Sequence, residues 1–330
     1  MERHYRAHLR AAAGQLERAR AAILPVFPDG PTEHPLEVVV FETAAQLEEL
    51  AGEPQVVHDW RGPLLLTGST ESILESSPQF QALLHALARH YATLALRRWP
   101  RWFEEGLERY LETITIDSSA KTARRGRANQ LKLGEVERWG ILPVTSLWAW
   151  DIEPDEQNGL EEHRAASAWF WVHYLFNAQR PALEKFMRSL ADGTEPRDAW
   201  VAAFGSVDPQ AMAEAANAYI EKGQTRAQLL ELGQLNTDLV EKPMPDAQVH
   251  ALFARMAAAT GAWPRARVEA ASAMALDGQD RRALEQYVVT QESAEARVLE
   301  ARKLTELQPK EPAGWLLLAL ALSSSDPSRV

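Results

Sequence analysis

The spacing of apolar residues changes along the chain, and each change marks an element. Residues 6–23 are rich in Ala, Leu and Arg at helical spacing, which predicts a first amphipathic helix. Pro25, Pro28, Gly30, Pro31 and Pro35 then break the pattern. Leu36 to Phe41 is a β-branched run of strand length, and Thr43 to Leu50 returns to helical spacing. Gly62 to Gly68 is a second predicted strand, bounded by glycines. The N-terminal part therefore reads as a small α+β unit.

Ser77-Pro78 starts the next helix, with Ser as cap and Pro at the first helical position. The helix is expected to run to about Arg98, where Trp99-Pro100 stops it. Phe80, Leu83, Leu84, Leu87, Tyr91 and Leu94 form its main apolar face. His85 and Arg89 share the other side with Ala92 and Leu96, so a second element is expected to cover that side too. A second helix is predicted over residues 102–113. From Thr145 to Ile220 the pattern is helical, with Trp148, Trp150, Trp169, Trp171, Tyr174 and Phe176 as bulky packing residues. Residues 223–235 read as a connector with some helix, and the remainder is Ala- and Leu-rich and helical. The expected fold class is α+β, mainly helical.

Length and charge narrow the function. A chain of 330 residues has room for two or three domains. Its formal charge of -11 comes without a block of like charges, which argues against nucleic acid as a partner. The one basic cluster, residues 121–127, has no interleaved aromatic residues and reads as a solvated loop. There is no cysteine, so disulfides, thiolate chemistry and Cys-type zinc sites are excluded. No run of about 18 apolar residues predicts a membrane span. The start at Met1 shows no leader pattern. The expectation is a soluble protein, cytoplasmic as written and periplasmic if a leader has been removed.

The candidate chemistry lies in His85-Ala86-Leu87-Ala88-Arg89-His90 and the following Trp102-Phe103-Glu104-Glu105-Gly106-Leu107. In an HExxH helix, His at i and i+4 hold zinc and the Glu at i+1 is the general base. Here His85 stands at the first ligand position. Ala86 stands at the base and Arg89 at the second ligand, leaving Glu105 as the possible third. His90 is five residues from His85, about 140° around the helix, so the two cannot grip one ion.

On these residues the chain resembles the bacterial peptidase-MA-like gluzincins, especially members that append tetratricopeptide-like repeats. The likeness covers most of residues 36–220. Its strongest part is Trp99 to Tyr110, where the family has a Pro, a Trp and then Glu-Gly-Leu-Ala-Glu-Tyr or close to it. Ala168 to Leu175 is similar to the family's Ser-Trp-x-x-Val-His-Tyr-Leu helix, and Phe204-Gly205 to its Ala-Phe-Gly ending. Members often carry a Tyr three residues before that Ser; the matching position here is Ala165. The resemblance implies a gluzincin-like domain with a small N-terminal sheet over residues 1–222. A connector over 223–245 and tetratricopeptide-like helical repeats over 246–330 would follow.

It also implies that the base, the second ligand and the Tyr have been lost together, at Ala86, Arg89 and Ala165. The leading expectation is a catalytically inactive metallopeptidase homologue, with no metal and no cofactor, that binds an unidentified protein or peptide. The alternatives are an active zinc metallopeptidase with a non-standard site and a purely structural helical scaffold. In the first reading Arg89 crosses to Glu105 and ties the two helices as zinc would. In the bland one Glu105 pairs with Arg109 on its own helix. The strand at 62–68 is expected to border a cleft that takes an extended peptide by strand addition.

Other candidates read as structural. His173 is a core histidine. His58 and His163 carry no partner signal. Glu153, Asp155, Glu156, Glu161 and Glu162 are a solvated turn and helix start, without EF-hand spacing. Thr67 and Ser69 are turn residues. In the C-terminal part Gly261 ends a helix. Ala266, Ala270 and Ala273 stand where small residues let paired helices approach, and Asp277-Gly278 closes the repeat. Pro309 and Trp315 stand at repeat-to-repeat spacing. Such helices either offer a partner groove or only brace the first domain.

Overall fold

A computed structural model describes residues 2–28, 35–74, 77–119, 121–150, 159–233, 240 and 242–325. Helix α1 (Glu2–Ile23) leads through a 3-10 turn into strand β1 (Glu37–Val40), helix α2 (Ala44–Ala51), and strands β2 (Gln55–Asp59) and β3 (Gly62–Thr67). Helices α3 (Thr70–Leu74), α4 (Pro78–Ala95) and α5 (Arg101–Leu111) follow, then strands β4 (Thr115–Asp117) and β5 (Thr122–Arg125). Next come α6 (Gln130–Trp139), α7 (Val144–Leu147), α8 (Leu160–Ala178), α9 (Arg180–Ala191), α10 (Pro196–Phe204), α11 (Pro209–Glu221) and strand β6 (Gln228–Glu231). The chain ends in α12 (Asp246–Ala259), α13 (Trp263–Leu276), α14 (Arg281–Val289), α15 (Ala294–Leu307) and α16 (Pro312–Ser325). The fold is α+β and mainly helical, with two small three-stranded sheets.

Two compact units emerge: Met1–Leu47 with Glu53–Val56 and Pro63–Asp238, and Glu48–Gly52 with Val57–Gly62 and Leu239–Val330. In the first unit α8 is the central helix. Every residue from Arg164 to Phe176 is buried, as befits a helix apolar on all sides. Against it lies α5, whose Trp102, Phe103, Gly106, Leu107, Tyr110 and Leu111 recur at helical spacing and are buried. Gly106 makes the approach possible. A Cβ there would sit 2.7 Å from Val172 Cγ2 and closer still to the Ala168 carbonyl. The Glu-Gly pair of the sequence motif thus has a packing reason for its glycine.

Helix α4 begins as expected, with Ser77 Oγ accepting from the Phe80 amide at 3.1 Å and Pro78 at the first position. It ends at Ala95, three residues before the expected Arg98. In the first sheet the order is β1-β3-β2, with β1 parallel to β3. The strand predicted over 62–68 is therefore the central one. Both its edges are paired, so it cannot accept an added strand, and the cleft expected beside it needs another edge.

The second sheet, β4-β5-β6, corrects two expectations. Residues 121–127 are not a solvated loop: 122–125 form its middle strand, alternating with Ala123 and Arg125 buried and Arg124 exposed. The Arg125 guanidinium donates to the Ala22 carbonyl at 3.2 Å and to Gln228 Oε1 at 3.1 Å. The connector at 223–235 contributes β6 rather than helix, paired antiparallel to β5. Strand β5 was hidden by charge, because composition counts Arg125 as solvated whereas its buried guanidinium is hydrogen-bonded inside.

In the second unit Gly261 takes a positive φ of 81° just after α12, the left-handed position that ends helices. Ala266, Ala270 and Ala273 on α13 are fully buried, and α12 and α13 pack closely. Arg255 is buried in this unit and grips Asp59 with two nitrogens, Nε to Oδ2 at 2.6 Å and Nη2 to Oδ1 at 3.0 Å. Arg61 reaches buried Glu285 at 2.6 Å. Gly30, Pro31, Glu153, Asp155 and Glu156 lie outside the described residues. Among the described residues no helix is long and apolar enough to cross a membrane.

Candidate functional site

The candidate site is a ladder of charge between α4 and α5. On α4, His85 and Arg89 stand one turn apart. Glu104 and Glu108 on α5 and Glu112 at its C-cap recur every fourth residue and so share a face. The two rows meet. His85 Nε2 lies 2.9 Å from Glu108 Oε2, and His85 Nδ1 lies 3.2 Å from Glu112 Oε2. Arg89 Nε lies 3.5 Å from Glu104 Oε1 and 3.7 Å from Glu108 Oε1.

The rest of the network fixes the acids. Glu112 also receives Arg109 Nη1 at 3.2 Å and Asn129 Nδ2 at 2.9 Å. Asn129 caps α6 through Oδ1, which accepts the Lys132 amide at 3.1 Å. His85 is thus tied through Glu112 to the start of a third helix. Burial alone would push the His85 pKa down. Hydrogen bonds to Glu108 and Glu112 and the charge of Glu108 outweigh it and raise the ring to about 9. At neutral pH His85 is an imidazolium with both N–H groups donated to carboxylates.

The structure brings together only some of the sequence candidates. His85 and Arg89 share one side of α4, but the acid that faces them is Glu108. Glu105 turns away, since neighbouring helical residues differ by 100°, and its carboxylate takes Arg109 Nε at 2.8 Å. The expected Arg89–Glu105 tie is replaced by Arg89 with Glu104 and Glu108, and the own-helix Glu105–Arg109 pair is present. Ala86 is buried on α4 and carries no acid. His90 is buried elsewhere on α4, its ring 5.1 Å from that of Tyr91. Ala165 is buried on α8.

His173 is a satisfied core histidine. Nε2–H donates to the Gly126 carbonyl at 3.0 Å, and Nδ1 accepts the Tyr219 hydroxyl at 2.9 Å. Burial pushes its pKa down to about 4, which keeps the ring neutral.

Glu104, Glu108, Glu112 and Asn129 were missed as site residues. The signal was present: an i, i+4, i+8 row of acids on the helix that follows an i, i+4 pair of basic residues.

A zinc ion, which the gluzincin resemblance implies, does not fit these donors. The guanidinium in the second ligand position cannot ligate, and both His85 ring nitrogens face carboxylates. Among the described residues no group of three or more His, Asp or Glu is arranged to hold a metal ion.

Residues 92–196 match the model of DUF1570, a protein family of unknown function. The match spans α5, the acid row and α8, and begins after His85 and Arg89. No curated protein and no solved structure matches the chain. A family of unknown function lends the chain no activity.

Proposed function

We propose that this chain is a catalytically inactive homologue of zinc metallopeptidases that works by binding a protein or peptide. The placement of His85 between Glu108 and Glu112 carries this reading. Both ring nitrogens are spent on carboxylates at 2.9 and 3.2 Å, where a peptidase would present a lone pair to zinc. The residue in the general-base position is Ala86, and the guanidinium of Arg89 stands where a second imidazole belongs.

The binding cleft best supported is a cavity of about 460 Å³ against one face of the first sheet, reaching the edge strand β1. Leu16 of α1, Val38 of β1, Leu65 of β3 and Leu87 and Tyr91 of α4 line it, together with the Glu17–Arg20 pair. An extended peptide adding to β1 would gain backbone hydrogen bonds and apolar pockets for alternate side chains. This cleft lies on the Leu87 and Tyr91 side of α4, away from His85.

Two measurements test the proposal. Metal analysis of purified protein is expected to find no stoichiometric zinc. Amide exchange over residues 37–40 is expected to slow when a library of extended peptides is added. Stoichiometric zinc that disappears in His85→Ala, with cleavage of casein, would overturn the proposal in favour of a working peptidase. Unchanged exchange with every peptide would leave a structural scaffold.

A further inference from the structure

We infer that the first unit contains an anion site, at the α4–α5 connection and lined by none of the ladder residues, built for a small molecule bearing a phosphate group on a flat ring. The site is a cavity of about 510 Å³, within the size range of small-ligand pockets. Arg97, Arg98, Arg197, Trp99, Trp148 and Glu195 line it.

Charge makes the first argument. The chain carries a formal -11, yet among the described residues three arginines and a single carboxylate line this cavity. A local reversal of sign in an acidic protein concentrates anions there. The opposing carboxylate is weakly held: Glu195 pairs with Arg98 at 3.2 Å, and both side chains are more than half exposed. An incoming oxyanion can displace it.

The backbone makes the second. Pro100 and Pro196 on the cavity wall mark the beginnings of α5 and α10. Neither helix has a side-chain cap. Two helices of 11 and 9 residues thus aim their positive ends at one cavity that already holds three arginines.

The aromatic residues make the third and specify the ring. The Arg197 guanidinium lies 5.5 Å from the centre of the Trp148 ring, which orients its fork. Trp148 is held edge-on by Trp102 at 5.7 Å and Trp200 at 6.1 Å, so the wall behind the arginines is rigid. Trp99 is half-buried against the core and lines the cavity, which gives a planar group an aromatic wall.

Calorimetry on the full-length protein with phenyl phosphate, inorganic phosphate and phenol tests the site. Phenyl phosphate is expected to bind saturably and about tenfold more tightly than inorganic phosphate, with phenol undetectable. The Arg97→Ala/Arg197→Ala double variant, at two exposed positions, is expected to lose about tenfold or more in affinity. Glu195→Gln is expected to tighten binding about threefold at low salt, an advantage that added sodium chloride removes. Far-UV dichroism of each variant verifies its fold. No heat with phenyl phosphate at millimolar concentration would overturn the inference, as would unchanged affinity in the folded double variant. Equal affinity for phenol would reduce the cavity to an apolar pocket, and equal affinity for inorganic phosphate would remove the ring from it.

Discussion

His85 on α4 donates through Nε2 to Glu108 on α5 across 2.9 Å, although the gluzincin resemblance would pair its position with Glu105. Glu108 is almost fully buried, with its other oxygen 3.7 Å from Arg89. One acid therefore joins both basic residues of α4, and the helices are held by charge at the place where the resemblance would put a metal.

This arrangement fixes a pH dependence. The His85 pKa rises from 6.5 to about 9 on folding. Its stabilisation is then fully present below pH 6.5 and is lost as pH rises through 9. The window contributes up to about 3 kcal/mol, at 1.36 kcal/mol per unit. Urea unfolding across pH 6 to 10 is expected to show this decline in the wild type and a flatter profile in His85→Gln. Parallel profiles would remove the ion-pair reading.

The choice of acid is separately testable. In Glu108→Gln the burial of His85 loses its strongest compensation, so the ring pKa should fall well below 9. Stability at pH 6 should drop by about 1–3 kcal/mol. Glu105→Gln, which removes an acid bound to Arg109, should leave the ring nearly unmoved. Titration of the His85 ring protons by NMR compares the two, and equal shifts would contradict the geometry.

Two glycine substitutions are expected to differ in sign. Gly106→Ala forces a methyl into the Ala168 carbonyl and Val172, and should cost about 1–3 kcal/mol despite the better helix former. Gly134→Ala on exposed α6 meets nothing within 4 Å and should stabilise by up to about 1 kcal/mol. Thermal melts of the pair separate backbone packing from helix propensity.

In the second unit, Asp59→Ala removes both carboxylate bonds to the buried Arg255 guanidinium, whose Nη2 also donates to the Gly62 carbonyl at 3.1 Å. The expected loss is about 3–5 kcal/mol, the usual cost of breaking a buried pair by removing one partner. Arg265→Ala breaks a pair with largely exposed Glu49 and should cost at most about 1 kcal/mol. Denaturant melts that rank these two the other way would refute the assignment.

Rebuilding the metal site tests the frame itself. Ala86→Glu with Arg89→His supplies the two imidazoles and the acid that the resemblance calls for, and the double variant is expected to bind zinc at least about a hundredfold more tightly than the wild type. The third ligand should be Glu108, the acid facing His85, so adding Glu108→Ala should abolish the gain and adding Glu105→Ala should not. The reverse result would restore the register that the resemblance implies.

Much of the fold was legible in local pattern. The Ser77-Pro78 start, the α5 apolar stripe and the strands beginning near Leu36 and Gly62 rest on capping chemistry and on spacing, which act over a few residues. Strands β5 and β6 were missed for one shared cause. Strand β5 is Thr-Ala-Arg-Arg and β6 is Gln-Leu-Leu-Glu, neither apolar enough to announce itself, and each is stabilised by pairing with a segment about a hundred residues distant.

The candidate site divides along the same line. Sequence alone determined that His85 and Arg89 stand one helical turn apart and that acids stand one helix later. Which acid meets His85 was decided by how α5 is rotated against α4. That rotation is set from the far side, where Gly106 lets α5 settle on α8 and turns the row of Glu104, Glu108 and Glu112 toward α4. Helical spacing says which residues share a face, and only packing against a third helix says where that face points.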